Sequence, residues 1–117
     1  MRAQDITAQA RQAAIDYLAE RGYGVLDRDW HSPDGDIPVI AEENRVLVAV
    51  DIVAPAGRCF RSPLERMAKR RQTALRRAAI RWLAEHGKRY DQIRVDVVGL
   101  LRDAGGGFTI EHIRAVG

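Results

Sequence analysis

Apolar positions along the chain follow two periods, and the change between them marks the elements. Between residues 4 and 21, Ile6, Ala10, Ala13, Ala14, Tyr17 and Leu18 recur at the three-and-four spacing of an amphipathic helix. Gly22 and Gly24 follow and end it. Tyr23–Trp30 alternates like a strand, with Tyr23, Val25 and Leu26 as inward candidates, and "HSPDGD" is turn chemistry. Ile37–Ala41 and Arg45–Val53 read as two strands joined through "EEN", a hairpin. The second is apolar at consecutive positions from Val46 to Val50, the mark of a central strand covered on both faces. The stretch "APAGRCFRSP" is a loop. Ser62, Pro63 and Glu65 then supply a capping box, and Gly87 can close the far end, so one helix over residues 62–86 is expected. "IRVDVVGLL" is a further buried strand, "RDAGGG" a hairpin loop and "FTIEHIRAV" the last strand. The expected fold class is α/β, a mixed sheet flanked by helices in the order αβββαββ, forming a single domain over residues 1–117.

Composition narrows the setting. With 46% hydrophobic residues the chain can bury a core. Cys59 is the one cysteine, so an internal disulfide is excluded, and an idle thiol is expected. Charged residues break up the first twenty positions, and the longest apolar run is Val46–Val50. Both facts point to a cytoplasmic protein with no membrane span.

The net charge is +3, but its distribution is uneven. Between Arg58 and Arg89 lie eleven basic residues, opposed only by Glu65 and Glu85. On a helical wheel Leu64, Met67, Ala68, Leu75, Ala78 and Trp82 share one face, while Arg66, Arg70, Arg77 and Arg81 share the opposite one. An arginine stripe of this kind suits the phosphates of DNA or RNA, with Arg58 and Arg61 adding charge from the loop; a merely solvated face is the alternative. Arg71 falls inside the apolar face. Either it snorkels to the edge of the core, or it reaches an acid across the sheet, with Asp51 as a candidate.

His31, His86 and His112 show no metal-ligand spacing and are expected on the surface. Trp82 is expected in the core; Trp30 is open to either a core or a stacking role. "GGG" at 105–107 precedes no helix, so it is a loop and not a phosphate cradle.

"GYGVLDRDW", "PDGDIPVIA", "SPLERMAKRRQTALRRAAIRWLA", "RVDVVGLL" and "FTIEHIRAV", in this order and spacing, resemble the YraN family. These are small bacterial proteins with a restriction-endonuclease-like fold, similar to archaeal Holliday-junction resolvases. The resemblance implies a PD-(D/E)xK site, in which carboxylates on adjacent strands hold Mg²⁺ and a lysine assists the attacking water. Here the family's first-helix glutamate falls on Arg11, the glutamate of its first hairpin strand on Asp36, and the aspartate two residues on at Pro38. The next strand's glutamate falls on Asp51 and its lysine on Val53. The chain has two lysines, Lys69 and Lys88, so no shift of register restores the missing one.

Asp36 and Asp51 therefore stand as remnants of a catalytic set, with no metal expected. If Arg11 approaches Asp51, its guanidinium replaces the metal's charge there; the plain alternative makes Asp51 a strand-end polar residue bonded to backbone. The leading expectation is a nuclease-fold protein that binds nucleic acid without cutting it. The alternatives are an endonuclease using Mg²⁺ or Mn²⁺ through Asp36, Asp51 and a basic residue from elsewhere such as Arg71, which stabilises charge but cannot act as a base, or a scaffold that pairs as a homodimer.

Overall fold

The computed structural model describes residues 8–53 and 69–116. Among them the order is α1 (Ala8–Glu20), β1 (Gly24–Trp30), β2 (Ile37–Glu43), β3 (Val46–Val53), α2 (Lys69–Glu85), β4 (Ile93–Arg102) and β5 (Phe108–Ile113). This is the expected αβββαββ order of a mixed α/β fold, consistent with a restriction-endonuclease-like architecture. Ile6, Arg58, Cys59, Arg61, the Ser62–Glu65 capping box, Leu64, Arg66, Met67 and Ala68 lie outside the described residues.

The five strands lie side by side in sequence order. All neighbours run antiparallel except β3 and β4, which are parallel and joined by the crossover that contains α2. Alternation along β3 divides the core in two. Val48, Val50 and Ile52 meet Ala10, Ala14, Ile15 and Leu18 of α1 on one face. Leu47 and Ala49 meet Leu75, Ala78, Ala79 and Trp82 of α2 on the other. A strand buried on both faces must be apolar at nearly every position, which accounts for the sequence of β3.

Both helices end alike. Tyr23 N–H bonds the Leu18 carbonyl and Gly22 N–H that of Ala19; Lys88 N–H bonds Leu83 and Gly87 N–H bonds Ala84. This is the Schellman pattern, and Gly22 (φ 88°) and Gly87 (φ 61°) take the left-handed conformation that it needs.

Several boundaries depart from the expected ones. Glu42 and Glu43 belong to β2, and the ladder runs to Glu43 opposite Val46. The turn is Asn44–Arg45, both at positive φ (49° and 64°), the backbone of a tight hairpin. Leu26 is 38% exposed because the β1–β2 register shifts between Val25 and Asp27, so a bulge takes it out of the alternation. β5 stops at Ile113 because Ala115 turns through positive φ (56°), which lets Val116 N–H reach the Val95 carbonyl.

His112, expected on the surface, has a side chain only 5% exposed. It takes an inward place on β5 and meets Asp96, which is fully buried on the α1 side of β4. Nε2 lies 2.8 Å from Asp96 Oδ2; a carboxylate can only accept, so Nε2 carries the proton. Asp96 also accepts from Tyr23 Oη, Arg94 Nε and Nη2, and Ala115 N–H. Burial alone would raise the Asp96 pKa, but the bonds from His112, Arg94 and Ala115 N–H outweigh it and hold the carboxyl well below its usual range. Burial, then the Asp96 charge, push the Tyr23 hydroxyl up.

A depressed carboxyl pKa means that folding favours the ionised form. Its stabilisation is complete above the unfolded value, about 3.9, and declines as pH falls below it. Asp96→Ala leaves Arg94 and His112 without their buried acceptor and is expected to cost about 3 kcal/mol. Urea denaturation at neutral pH measures the loss. The difference between variant and parent should shrink as the buffer is taken below about pH 4.

Candidate functional site

A second buried acid stands on β3, on the other face of the sheet. Asp51 lies in the same alternation as Leu47 and Ala49, so it points toward α2, and it is 7% exposed. A carboxylate so placed needs a counter-charge. Arg71, from the first turn of the described part of α2, provides it with a forked contact. Nη2 is 3.0 Å from Oδ1 and Nε is 3.3 Å from Oδ2. The same Nη2 donates to the backbone carbonyl of Asp36 at 2.8 Å. Of the two readings of Arg71, pairing across the sheet is the one that the structure shows.

The segment between β1 and β2 is fastened to the same helix. Arg81 Nε bonds Asp34 at 2.8 Å, and Gly35 lies against Ala74. Ser32 Oγ donates to the Gly35 carbonyl at 2.7 Å and closes the turn on itself. Behind it, Trp82 Nε1 donates to Asp27 at 3.0 Å, which satisfies the indole of this core tryptophan. Trp30 also packs on the α2-side core and is not a free stacking platform.

The structure does not bring the two remnant acids together as a pair of carboxylates. Asp36 contributes its backbone carbonyl, while its side chain is 61% exposed, with Oδ1 3.1 Å from His31 Nδ1. Alternation breaks between residues 37 and 39: Ile37 and Ile40 pack on the α2 side, Val39 and Ala41 on the α1 side. The interruption sits at Pro38. The β2–β3 ladder has Val39 opposite Val50, so the next step of the register sets Pro38 against Asp51. A proline there offers neither a ligand nor an N–H. Val53, at the family's lysine position, packs against the α2-side core.

Arg11 does not reach Asp51. It lies on α1, which covers the opposite face of β3, and its Nη2 is 3.6 Å from Asp29 at the end of β1. Asp29 has positive φ (50°), which turns the strand end toward α1. The expected Arg11–Asp51 pair is therefore replaced by two others, Arg11–Asp29 and Arg71–Asp51. Arg11 Nε is buried and finds no acceptor among the described residues. Sequence reasoning missed Asp29, Asp34 and His31 as members of this neighbourhood. His31 is exposed as expected, yet its ring lies between Asp29 and Asp36, with Nε2 3.4 Å from Asp29 and Nδ1 3.1 Å from Asp36.

These residues do not fit a catalytic magnesium ion. Both Asp51 oxygens face the Arg71 fork, the Asp36 carboxylate is turned to His31, and positions 38 and 53 carry no donor. Among the described residues no group of three or more His, Cys, Asp or Glu side chains could hold a metal ion.

The outer face of α2 is basic. With Arg71 turned inward, Lys69, Arg70, Arg76, Arg77 and Arg81 stand against the single acid Glu85. Arg70 and Arg77 are exposed and without an acidic partner among the described residues, whereas Arg81 is shared with Asp34. A hollow of about 390 Å³ lies where β3 begins, at the far end of that strand from Asp51, lined by Glu42, Arg45, Lys88, Arg89, Tyr90 and Asp91. No helix among the described residues is long and apolar enough to cross a membrane.

Comparison with known sequences gives a consistent result. Residues 10–100 match the uncharacterised protein family UPF0102. A UPF0102 protein of Beutenbergia cavernae is 37% identical over 118 residues, covering all of both chains. One from Rhodococcus jostii is 34% identical over 92% of this chain and 91% of its own. One from an Arthrobacter species is 31% identical over the whole of both.

The geometry makes opposite forecasts for two arginine partners. Asp51→Ala strands Arg71 at the edge of the core and should cost about 2 kcal/mol, less than a fully buried pair because Arg71 retains solvent contact. Arg11→Leu removes a buried donor that lacks an acceptor and should change stability by less than about 0.5 kcal/mol, or raise it. Thermal or urea unfolding separates the two; a cost at Arg11 equal to that at Asp51 would contradict the pairing.

Proposed function

Because the chain belongs to the uncharacterised protein family UPF0102, the YraN family, and carries a nuclease-like sheet without a metal-competent acid set, we propose that it binds nucleic acid and does not cut it. The observation that carries this reading is the outer face of α2. Arg70 and Arg77 are seven residues apart, nearly two helical turns, so they project to the same side. Their separation along the axis is about 10 Å. Their charge is unspent among the described residues, and guanidinium forks match phosphate oxygens in a bidentate way. The inner face of the same helix is core, so the arginines are presented on a rigid element.

Charge continues past the end of the helix through Lys88 and Arg89. A surface of this kind reads the sugar-phosphate chain and not the bases, so binding should be strongly salt-dependent and weakly sequence-selective. DNA and RNA both present that chain. Hydrolysis is not expected, because the carboxylate that would carry the metal is engaged by Arg71 and the neighbouring ligand positions are Pro38 and Val53.

Fluorescence anisotropy with duplex, branched and single-stranded oligonucleotides tests this. The parent protein should bind at low salt, and Arg70→Gln with Arg77→Gln should reduce the slope of log affinity against log salt by about 2 for duplex DNA. Incubation with Mg²⁺ or Mn²⁺ should leave every substrate intact. Absence of affinity at low salt contradicts the binding, and cleavage that is lost in Asp51→Asn contradicts the inactivity.

A further inference from the structure

The hollow at the start of β3 stands apart from Asp51, and its chemistry is of another kind. Two segments form it. Glu42 and Arg45 come from the β2–β3 hairpin, and Lys88, Arg89, Tyr90 and Asp91 from the connection between α2 and β4. The segments are fastened to each other. The Tyr90 hydroxyl donates to Glu42 Oε1, and Leu47 N–H bonds the Gln92 carbonyl at 3.1 Å. Arg45 sits in a tight turn, and the Schellman bonds at Gly87 and Lys88 set the direction in which the chain leaves α2. The backbone of both walls is thus fixed before any ligand arrives.

Charge and size decide what fits. Arg45, Lys88 and Arg89 are exposed, and none has an acidic partner among the described residues. Three cations exceed what one phosphodiester needs, whereas a phosphomonoester carries close to two negative charges at neutral pH. Glu42 and Asp91 bring the lining down to +1, three cations against two acids. That weakens the hold on a bare polyanion and favours a ligand with one anionic end and hydroxyl or amino donors elsewhere. The bond to Glu42, then burial, push the Tyr90 hydroxyl up to about 12, so it stays protonated and adds no charge. Its ring gives the hollow an aromatic wall. The volume, about 390 Å³, falls within the range of small-molecule sites, roughly 300–1,000 Å³.

We propose that this hollow binds the phosphate-bearing end of a nucleotide. Arg45, Lys88 and Arg89 hold the phosphomonoester, and Glu42 and Asp91 accept hydrogen bonds from the sugar or base. A free nucleotide and the 5′ end of a strand share this chemistry. The first form needs no contact with the outer face of α2. The second rests on the nucleic-acid reading and adds an end preference to it.

Calorimetric titration compares the ribonucleoside 5′-monophosphates with the matching nucleosides. Fluorescence anisotropy compares 3′-labelled single strands that carry a 5′-phosphate or a 5′-hydroxyl. In at least one arm the phosphorylated form should bind at least about tenfold more tightly than its counterpart. Lys88→Gln with Arg89→Gln should abolish that preference, and Arg45→Gln should reduce it; all three side chains are exposed, so the core is untouched. Arg102→Gln, which removes an exposed charge at the far end of β4, should leave it unchanged. Preference in the titration alone identifies a free nucleotide, and preference in the anisotropy alone a strand end. Equal binding with and without the phosphate in both arms overturns the proposal. So does a preference that survives Lys88→Gln with Arg89→Gln, or that Arg102→Gln reduces as much as Arg45→Gln. Strand affinity that ignores the 5′ group, with no nucleotide preference, leaves the α2 reading standing and sinks this one; nucleotide preference without strand affinity does the reverse.

Discussion

The contact between Arg71 and Asp51 is the constraint on which the candidate site depends. β3 is the central strand and is apolar at nearly every position, so a carboxylate on it must be paired or lost. Its partner comes from α2, and the same guanidinium reaches the carbonyl of Asp36. One side chain thus sets the helix against the sheet and fixes the turn that leads into β2. The outward direction of Arg70 and Arg77 follows from this. With Arg71 committed inward, helical geometry leaves its neighbour Arg70, and Arg77 two turns on, facing solvent.

The two faces of the sheet treat a buried acid differently. On the α1 side, Asp96 is saturated by a tyrosine, an arginine, a histidine and a backbone N–H, and no exposure remains. That network joins β4, β5 and the chain after α1 and has the character of a structural tie. On the α2 side, Asp51 has one cationic partner among the described residues, Arg71, which retains about a third of its exposure. The first arrangement is closed. The second sits at an edge where the chain meets solvent, the place where the nuclease-like fold would do chemistry. The cation there is a guanidinium fixed to the protein.

Much of this was legible in the sequence because it depends on local pattern. The order of elements, the doubly buried β3 and the core position of Trp82 follow from periodicity, and the placement of Arg71 inside the apolar face left pairing with Asp51 as one of two readings. The misses have a common cause: they depend on breaks in periodicity or on partners distant in the chain. Positive φ at Asp29 turns that residue toward Arg11. The bulge beside Leu26 and the break at Pro38 each reverse the faces that simple alternation assigns. His112 looked like a surface residue because its partner, Asp96, lies sixteen positions earlier on a neighbouring strand. Matching positions to the family pattern placed Arg11 near Asp51 through a shared origin; the fold puts the sheet between them.

The proposed lack of catalysis and the basic helix are compatible in physical terms. Hydrolysis requires oxygen ligands at fixed positions, and a change at two of them removes the site. Phosphate contact requires only accessible positive charge on a rigid element, which α2 retains. The most direct measurement is the anomalous difference density of crystals soaked in Mn²⁺. The account predicts the Arg71 fork on Asp51 and no manganese peak within bonding distance of that carboxylate. A manganese ion bound to Asp51, with Arg71 swung away, would contradict it.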